Sequence, residues 1–525
     1  MKPITKWAKE ADVVVVGYGA AGVATAITAH DAGAKVLILE KAPKGEEGGN
    51  SRVAGQGWCD LTPVDTAITY FNALCGPYTV EQEIVRAWAE EMGKNADWVR
   101  GLGGGAVEIA KGPDEAEFPE LPGAECVRMY SVDGTIGFEK LWKVLKASVE
   151  KRNIEVLYAT PGKELIQDSQ SKEIIGIKAE AEGAPFNIKA RKAVVLTCGG
   201  FENNQEMIRD YLPNLACAFP VGTPYNTGDG ITMAMEVGAD LWHMNNISGP
   251  WYYLKAPEYP SVMELVAQHQ RKEIPGGMII VAADGTRFKN EKHDVTHGKH
   301  NVTHGKIQVY GQWVQSPAPY PMFMIIDQVM FSGGPLHDNN LYHGWNSLLK
   351  VYDWSRDNSV ELEKGWINKA ASIPELARTI GLDPATLEDT INKWNTYCET
   401  GNDTDFGRTK MLEPIKNAPY YAIEISPAFS STQGGPRRNA KAQIVRPNRS
   451  AIPRLYSAGE LGSIHSFLYQ GGGNLSECMA FGRIAGRNAA KEKPLVQGQR
   501  ALTETVSRLE GRWRAQCSEP LDGAP

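Results

Sequence analysis

Little in this sequence of 525 residues points to a metal centre, a haem or a disulfide scaffold. The eight cysteines, Cys59, Cys75, Cys126, Cys198, Cys217, Cys398, Cys478 and Cys517, form no CxxC pair and no CxxCH site. That pattern argues against zinc, c-type haem and cross-linking, and for a reducing, cytoplasmic compartment. A charge excess is missing too: 55 basic and 62 acidic side chains leave a formal −7, so the electrostatics do not favour a nucleic acid. The opening MKPITKWAKEADVVVVGYG has no cleavable signal pattern. The one long apolar stretch, Val13 to Ala29, is interrupted by three glycines and passes from a β-type run into a helical pattern. It reads as a buried strand and helix, not a membrane span.

Glycine, by contrast, is abundant: 54 of 525 residues, about a tenth where roughly 7% is usual. Sites needing positive φ or a close backbone approach are therefore over-supplied. Val13 to Val16 is an unbroken β-branched run, as a buried parallel strand requires; Gly17 to Gly22 form a turn, Val23 to Ala32 read as a helix, and Lys35 to Glu40 as the next strand. This is a βαβ unit. Helical sequence follows around Val80 to Leu102, with Trp88 and Trp98 as core residues, then a helix over Phe138 to Val149 and strands at Ile154 to Tyr158, Ile174 to Ala179 and Ala193 to Thr197. Asn226 to Gly230 opens a helix running to Val237, capped by Asn226 or Thr227. From about Asn246 to Ala428 the chain is richer in Pro, Trp, Tyr and His, which marks a second domain; afterwards Ala451 to Gly459 returns to strand and Gly471 to Ala490 to a glycine turn and helix.

Gly17-x-Gly19-x-x-Gly22 stands between a strand and a helix, with Glu40 at the end of the next strand. In that context the spacing gives a tight turn, a close approach of backbone to a pyrophosphate and a helix N-terminus aimed at the phosphates; the acidic residue meets a ribose. The fingerprint alone does not separate FAD from NAD. The passages VVVVGYGAAGVATAITAHDAGAKVLILEK, GGNSRVAGQG, AVVLTCGGFE, NTGDGI, GTRFKNE, STQGG and LYSAGELG with GGGNLSECMAFGRIAG do so, because together and in this order they resemble the fumarate reductase and 3-ketosteroid dehydrogenase flavoprotein superfamily. The resemblance covers nearly the whole chain. It implies an α/β protein with a Rossmann-like FAD-binding domain and an inserted α+β cap that carries the substrate side: residues 1–248 and 429–498 for the first, 249–428 for the second, and a C-terminal extension over 499–525. It also implies FAD contacts at Gly17, Gly19, Ala21, Gly22, Glu40, Lys41, Asn50, Ser51, Gly199, Asp229, Glu460, Asn474 and Leu475. Where succinate dehydrogenases attach flavin to a histidine, this chain has Ser51, so the FAD is expected to be non-covalent.

Departures from the family pattern bear on the substrate. Fumarate reductases place a histidine before T-x-G-G, an arginine after G-x-R-F-x-N-E and another before the last G-G-N; here the corresponding places hold Ser430 and Ser431, the region of Val295, and Gln470. Burying two carboxylates without cations costs several kcal/mol, roughly, which disfavours a dicarboxylate, although Arg437 and Arg438 remain available for a monocarboxylate. In place of the arginine stands Tyr469-Gln470-Gly471-Gly472-Gly473, similar to the 3-ketosteroid 1-dehydrogenases, where a tyrosine hydroxyl and a glycine amide grip a ketone oxygen. Two such neutral donors stabilise an enolate, so the α-proton can leave while the β-hydride goes to flavin. Tyr469 and Gly473 are the expected electrophilic pair. The proton acceptor is sought in the cap among His293, His297, His304, Tyr310 and Tyr320, with His304 first, since a neutral imidazole suits that role near neutral pH. Tyr130 assists by analogy of order alone. His293, His297, His300 and His304 also have a metal-like look, but Gly298 and Gly305 and the lack of a carboxylate cluster argue for no metal. The aromatic run Trp251-Tyr252-Tyr253 is open to two readings, a pocket wall or core packing.

The expected protein is thus a non-covalent FAD oxidoreductase acting on the carbon–carbon bond beside a ketone of a steroid or smaller ring, in either direction. Its partner is a small apolar ketone, with the electron acceptor and oligomeric state left open and no nucleic acid or membrane span. Two rivals are a fumarate or urocanate reductase type of enzyme and a flavoprotein subunit that only transfers electrons.

Overall fold

A computed structural model of the chain describes residues 6–213, 215–265, 275–292 and 304–495. The valine run lies in strand β1 (Lys9–Val16), buried from Ala11 onward. β-branched residues pack well on both faces of such a strand. It pairs in parallel with β2 (Val36–Leu39) through Val13 to Val36 and with the long strand Ala184–Leu196 through Val14 to Val194. With β3 (Glu155–Leu157), β4 for Ala184–Leu196, β5 (Gln443–Val445) and β6 (Ala451–Ser457), the central order is β5-β6-β4-β1-β2-β3. Only β5 runs antiparallel to its neighbour along this path. Residues from both ends of the chain thus build one sheet. Helix α1 (Ala20–Asp31) follows β1, and α2 (Gly473–Lys491), buried along most of its length, lies beside it.

A second sheet centres on Tyr420–Phe429, flanked by Met322–Asp327 and beyond it Met278–Val281. Trp251–Tyr253 and Asn368–Ala370 add to the central strand, as does Phe219–Pro220, a short strand contributed from before residue 249. Helices Ile373–Thr379 and Pro384–Thr400 cover this sheet, burying Leu376, Leu387, Ile391 and Trp394 against Ile279, Ile325 and Ala422. A three-stranded sheet of Trp58–Leu61, Val127–Val132 and Ala106–Lys111 stands apart.

Trp88 is buried in the core; Trp98 is half-buried, with the Arg483 guanidinium 5.1 Å above its ring. The helix after Asn226 spans Asp229–Glu236 and begins behind a left-handed Gly228 with no side-chain cap. Neither Asn226 nor Thr227 caps it, because the Thr227 hydroxyl is engaged by Lys41 and Asp229. Among the described residues no helix is long and apolar enough to cross a membrane, and all seven cysteines are free thiols.

Candidate active site

Two cavities meet at the C-terminal ends of β1 and β4. The first runs along the N-terminus of α1. Its floor is the glycine turn: Gly17 has φ +109°, a left-handed conformation that favours glycine, and a Cβ there would stand 2.4 Å from the Thr197 carbonyl oxygen. A Cβ on Gly22 would lie 2.0 Å from the Gly17 carbonyl oxygen, so the first turn of α1 packs directly on the loop. Gly19 is the helix N-cap and no side chain of its own caps the helix; the Ala20 N–H instead donates to the Ser51 hydroxyl at 3.0 Å.

Gly17, Gly19, Ala21, Glu40, Lys41 and Gly199 all line this cavity, and so do Asn50, Ser51, Asp229 and Glu460. The Glu40 carboxylate accepts from the Tyr18 N–H at 3.0 Å and the Ala42 N–H at 2.7 Å, which fixes it at the end of β2. Burial raises its pKa above the usual carboxylate range. The Lys41 ammonium bonds Asp229 at 2.7 Å. Asn50 accepts from the Thr223 N–H at 3.0 Å and donates to Glu460 at 3.3 Å.

The second cavity is a cleft of about 820 Å³ that shares Asn50, Ser51 and Glu460 with the first, so the two are continuous. A long ligand with phosphates on α1 has its far end in this cleft. Asn474 and Leu475, at the start of α2, line it, as do Tyr469 and His304. His304, which opens the hairpin before strand Lys306–Val309, places Nδ1 2.8 Å from Oε2 of Glu117, with the two side chains only 15% and 7% exposed. The His304 ring meets the Tyr469 ring edge-on at 4.7 Å. Burial pushes the Tyr469 phenol far above its ordinary value, so the hydroxyl stays protonated. Its oxygen accepts the Asn474 N–H at 3.0 Å, leaving its own hydrogen to donate elsewhere. Gln470 ties this wall together: its Oε1 accepts from the Tyr70 hydroxyl at 2.9 Å and from the Glu117 N–H at 3.0 Å.

Several expected residues are placed elsewhere. The Gly473 N–H donates to the Gln470 carbonyl at 2.9 Å, so it is not the open donor beside Tyr469; Asn474 supplies the amide at that hydroxyl instead. Tyr130 stacks on Trp58 at 5.8 Å and its hydroxyl faces Glu108, whereas its neighbour Met129 lines the cleft, because side chains alternate along a strand. Tyr310 is fully exposed at a hairpin turn, and Tyr320 is exposed with its hydroxyl on Glu424. His293 and His297 lie outside the described residues. Of the aromatic run, none lines the cleft; Trp251 donates to the Ser430 hydroxyl and sits 5.9 Å from the His304 ring. Arg437 pairs with Asp240 and Glu81, and Arg438 is buried against Glu477; neither reaches the cleft.

The sequence reasoning missed Glu117, the partner of His304. It lies in an acidic, proline-rich loop, GPDEAEFPELPG, where nothing local separates it from Asp114, Glu115 and Glu120.

A family model described as FAD binding domain matches residues 12–475. The chain belongs to this family. It is 28% identical over 493 residues to a fumarate reductase (cytochrome) of Shewanella frigidimarina, covering 91% of this chain and 77% of that protein. To the 3-oxosteroid 1-dehydrogenase of Mycolicibacterium smegmatis it is 26% identical, covering 92% of this chain and 97% of that one. The solved structure of 3-ketosteroid delta1-dehydrogenase from Sterolibacterium denitrificans shares the fold, with a TM-score of 0.70 at 22% identity over 92% of this chain and 99% of that chain. The protein is an FAD-dependent oxidoreductase of the FAD binding domain family. Its residues fit that cofactor: the glycine cradle leaves no room for a Cβ, α1 lacks a side-chain cap of its own, and the cavity continues into a cleft large enough for a ring system and a substrate.

Proposed function

We propose that the protein oxidises, or in reverse reduces, the carbon–carbon bond next to the ketone of a small, uncharged cyclic substrate in the cytoplasm. One observation carries this reading: the cleft presents a protonated Tyr469 hydroxyl beside the His304–Glu117 pair, and no arginine or lysine lines it among the described residues. Among the described residues a dicarboxylate would find no arginine or lysine there as a counter-ion, at a cost of roughly several kcal/mol. A ketone needs only a neutral donor.

In this reading Gly17, Gly19, Ala21 and Gly22 hold the FAD pyrophosphate, and Glu40, Lys41 and Asp229 the adenosine end. Asn50, Ser51, Gly199, Glu460, Asn474 and Leu475 accompany the rest. Ser51 has no nucleophilic ring nitrogen, so FAD is held without a covalent bond. When bound, flavin supplies the acceptor or donor of hydride. Tyr469 donates its hydroxyl hydrogen to the ketone oxygen and stabilises the negative charge that develops there as the α-C–H bond breaks. The Asn474 N–H on its oxygen, at the positive end of α2, makes that hydroxyl a stronger donor. With Nδ1–H given to Glu117, the neutral His304 ring has its lone pair on Nε2, which takes the α-proton in desaturation and returns it in reduction.

Anaerobic mixing with a panel of saturated cyclic ketones, steroids and carboxylic acids tests the reading: ketones should bleach the flavin and acids should not. Tyr469→Phe should lower turnover by orders of magnitude with FAD content unchanged, and near-normal turnover would remove the tyrosine from the chemistry. Acid precipitation should release the flavin into the supernatant.

A further inference from the structure

Glu202 and Glu460 stand just beyond the ends of β4 and β6, which pair in parallel as far as Leu196 and Ser457, so the sheet brings both carboxylates to one end. Both are buried. Glu460 lines the two cavities at their junction, whereas Glu202 lines neither. One donor serves the pair: the Thr432 N–H reaches Oε1 of Glu202 at 2.8 Å and Oε1 of Glu460 at 3.2 Å. Gly200 leaves room for this meeting, because a Cβ there would stand 2.8 Å from the first oxygen and 3.0 Å from the second.

The remaining contacts are few. The Thr432 hydroxyl donates to Oε1 of Glu202 at 3.3 Å, and Asn50 Nδ2 donates to Oε2 of Glu460 at 3.3 Å. Oε2 of Glu202 is buried and meets no N–H or O–H donor among the described residues. No arginine or lysine pairs with either carboxylate among these residues: Arg438, which donates to the Gly459 carbonyl at 3.2 Å, is paired with Glu477, and Lys41 in the wall of the first cavity with Asp229. The Cys478 thiol beside Glu460 is pushed up to about 12 by burial and stays neutral. Two buried carboxylates with one N–H between them and no cation are not both charged, so the pair keeps a hydrogen. Burial, and then Glu202 as neighbour and hydrogen-bond partner, favour its place on Glu460.

We propose that Glu202 is a positioning residue for the cofactor: it accepts the Glu460 hydrogen, so that Glu460 meets FAD as a neutral acid, and FAD binds less tightly once the pair loses that hydrogen. The inference rests on FAD lying along both cavities and not on the ketone reading. FAD brings a doubly charged pyrophosphate, so a second carboxylate charge in the wall of its cavity opposes binding. Bound FAD in turn holds the hydrogen on the pair.

The dissociation constant of FAD, read from the flavin fluorescence released on serial dilution of the holoenzyme between about pH 5 and about pH 9, tests this. In the wild type Kd should be level at the acid end and, past a break, rise by up to about tenfold per pH unit, because each FAD bound then takes up one proton. Glu202→Gln removes the neighbouring charge and should move the break to lower pH by about one unit or more. Glu202→Asp, which retains a carboxylate, should restore part of that shift. Glu460→Gln keeps the uncharged form at every pH and should abolish the break. A pair that only held its loops in place would change Kd by the same factor at every pH and leave the break where it was. A level wild-type profile overturns the inference without recourse to any variant, and so does a break that Glu202→Gln leaves unmoved or that survives Glu460→Gln. Loss of FAD from Glu460→Gln at every pH overturns it as well, since the amide preserves the neutral form. Bleaching by ketones together with a level profile removes this inference alone; a break of the expected kind without bleaching supports it while the ketone reading falls.

Discussion

Replacing Glu117 by glutamine removes a charge while preserving shape, and it isolates the contribution of the His304–Glu117 pair. The Glu117 backbone stays pinned through its N–H to Gln470, so the loop should hold its position and FAD content should not change. At 2.8 Å and largely shielded from water, a hydrogen bond to a carboxylate contributes about 1.5–3 kcal/mol. That stabilisation matters most when His304 carries the substrate proton, because the imidazolium then faces a full negative charge. At about 1.4 kcal/mol per tenfold, kcat should fall roughly 10- to 150-fold, with KM little altered. Stopped-flow bleaching of the flavin by saturating ketone reads the step directly. His304→Gln should cost more than Glu117→Gln, and the double variant should cost no more than His304→Gln alone, since the carboxylate acts only through the ring. A Glu117→Gln rate within twofold of wild type, or additive losses in the double variant, would refute the pairing as the proton-transfer unit.

Gly471→Ala should act on the same pair from the other side: a Cβ there would stand 2.3 Å from Oε1 of Glu117 and 3.2 Å from Cε1 of His304, so turnover should drop at least about tenfold with FAD retained. Unchanged turnover would show that the pair tolerates displacement. Gly22→Ala sets its Cβ against the Gly17 carbonyl at 2.0 Å and should yield colourless protein on purification; a normal flavin spectrum would contradict the cradle. Stability should also carry a pH signature at Glu460. Burial first, and then the Glu202 carboxylate, raise its pKa well above the usual range, and the Thr432 N–H reaches Oε1 of both, at 2.8 Å for Glu202 and 3.2 Å for Glu460. The folded protein keeps a proton that the unfolded chain releases. Its contribution is therefore full below the ordinary carboxylate range and is lost as pH rises through the raised value. The Tm of wild type relative to Glu460→Gln should fall across that window, and a flat difference would refute the shift.

Local sequence carries much of the cofactor side. Four valines dictate a strand buried on both faces, and glycines at 17, 19 and 22 dictate a turn that closes on a helix N-terminus, because strand preference and backbone conformation are decided within a few residues. Tyr469 was legible for the same reason, standing beside three glycines at the start of a helix. Of the proposed proton-transfer pair, His304 stood first among the cap candidates read from the sequence, whereas Glu117 and the meeting of the two were not legible. Glu117 and His304 are 187 residues apart and meet only because the hairpin before Lys306–Val309 folds onto the loop that Gln470 holds. The strand register sends Tyr130 away from the cleft, a hairpin turn leaves Tyr310 in solvent, and the turn at Gln470 consumes the Gly473 N–H. Backbone shape is a short-range property, so the sequence by itself determined the cradle and the sheet that builds it. Which polar side chains face one another across the cleft depends on contacts between loops hundreds of residues apart, and only the tertiary structure decided that.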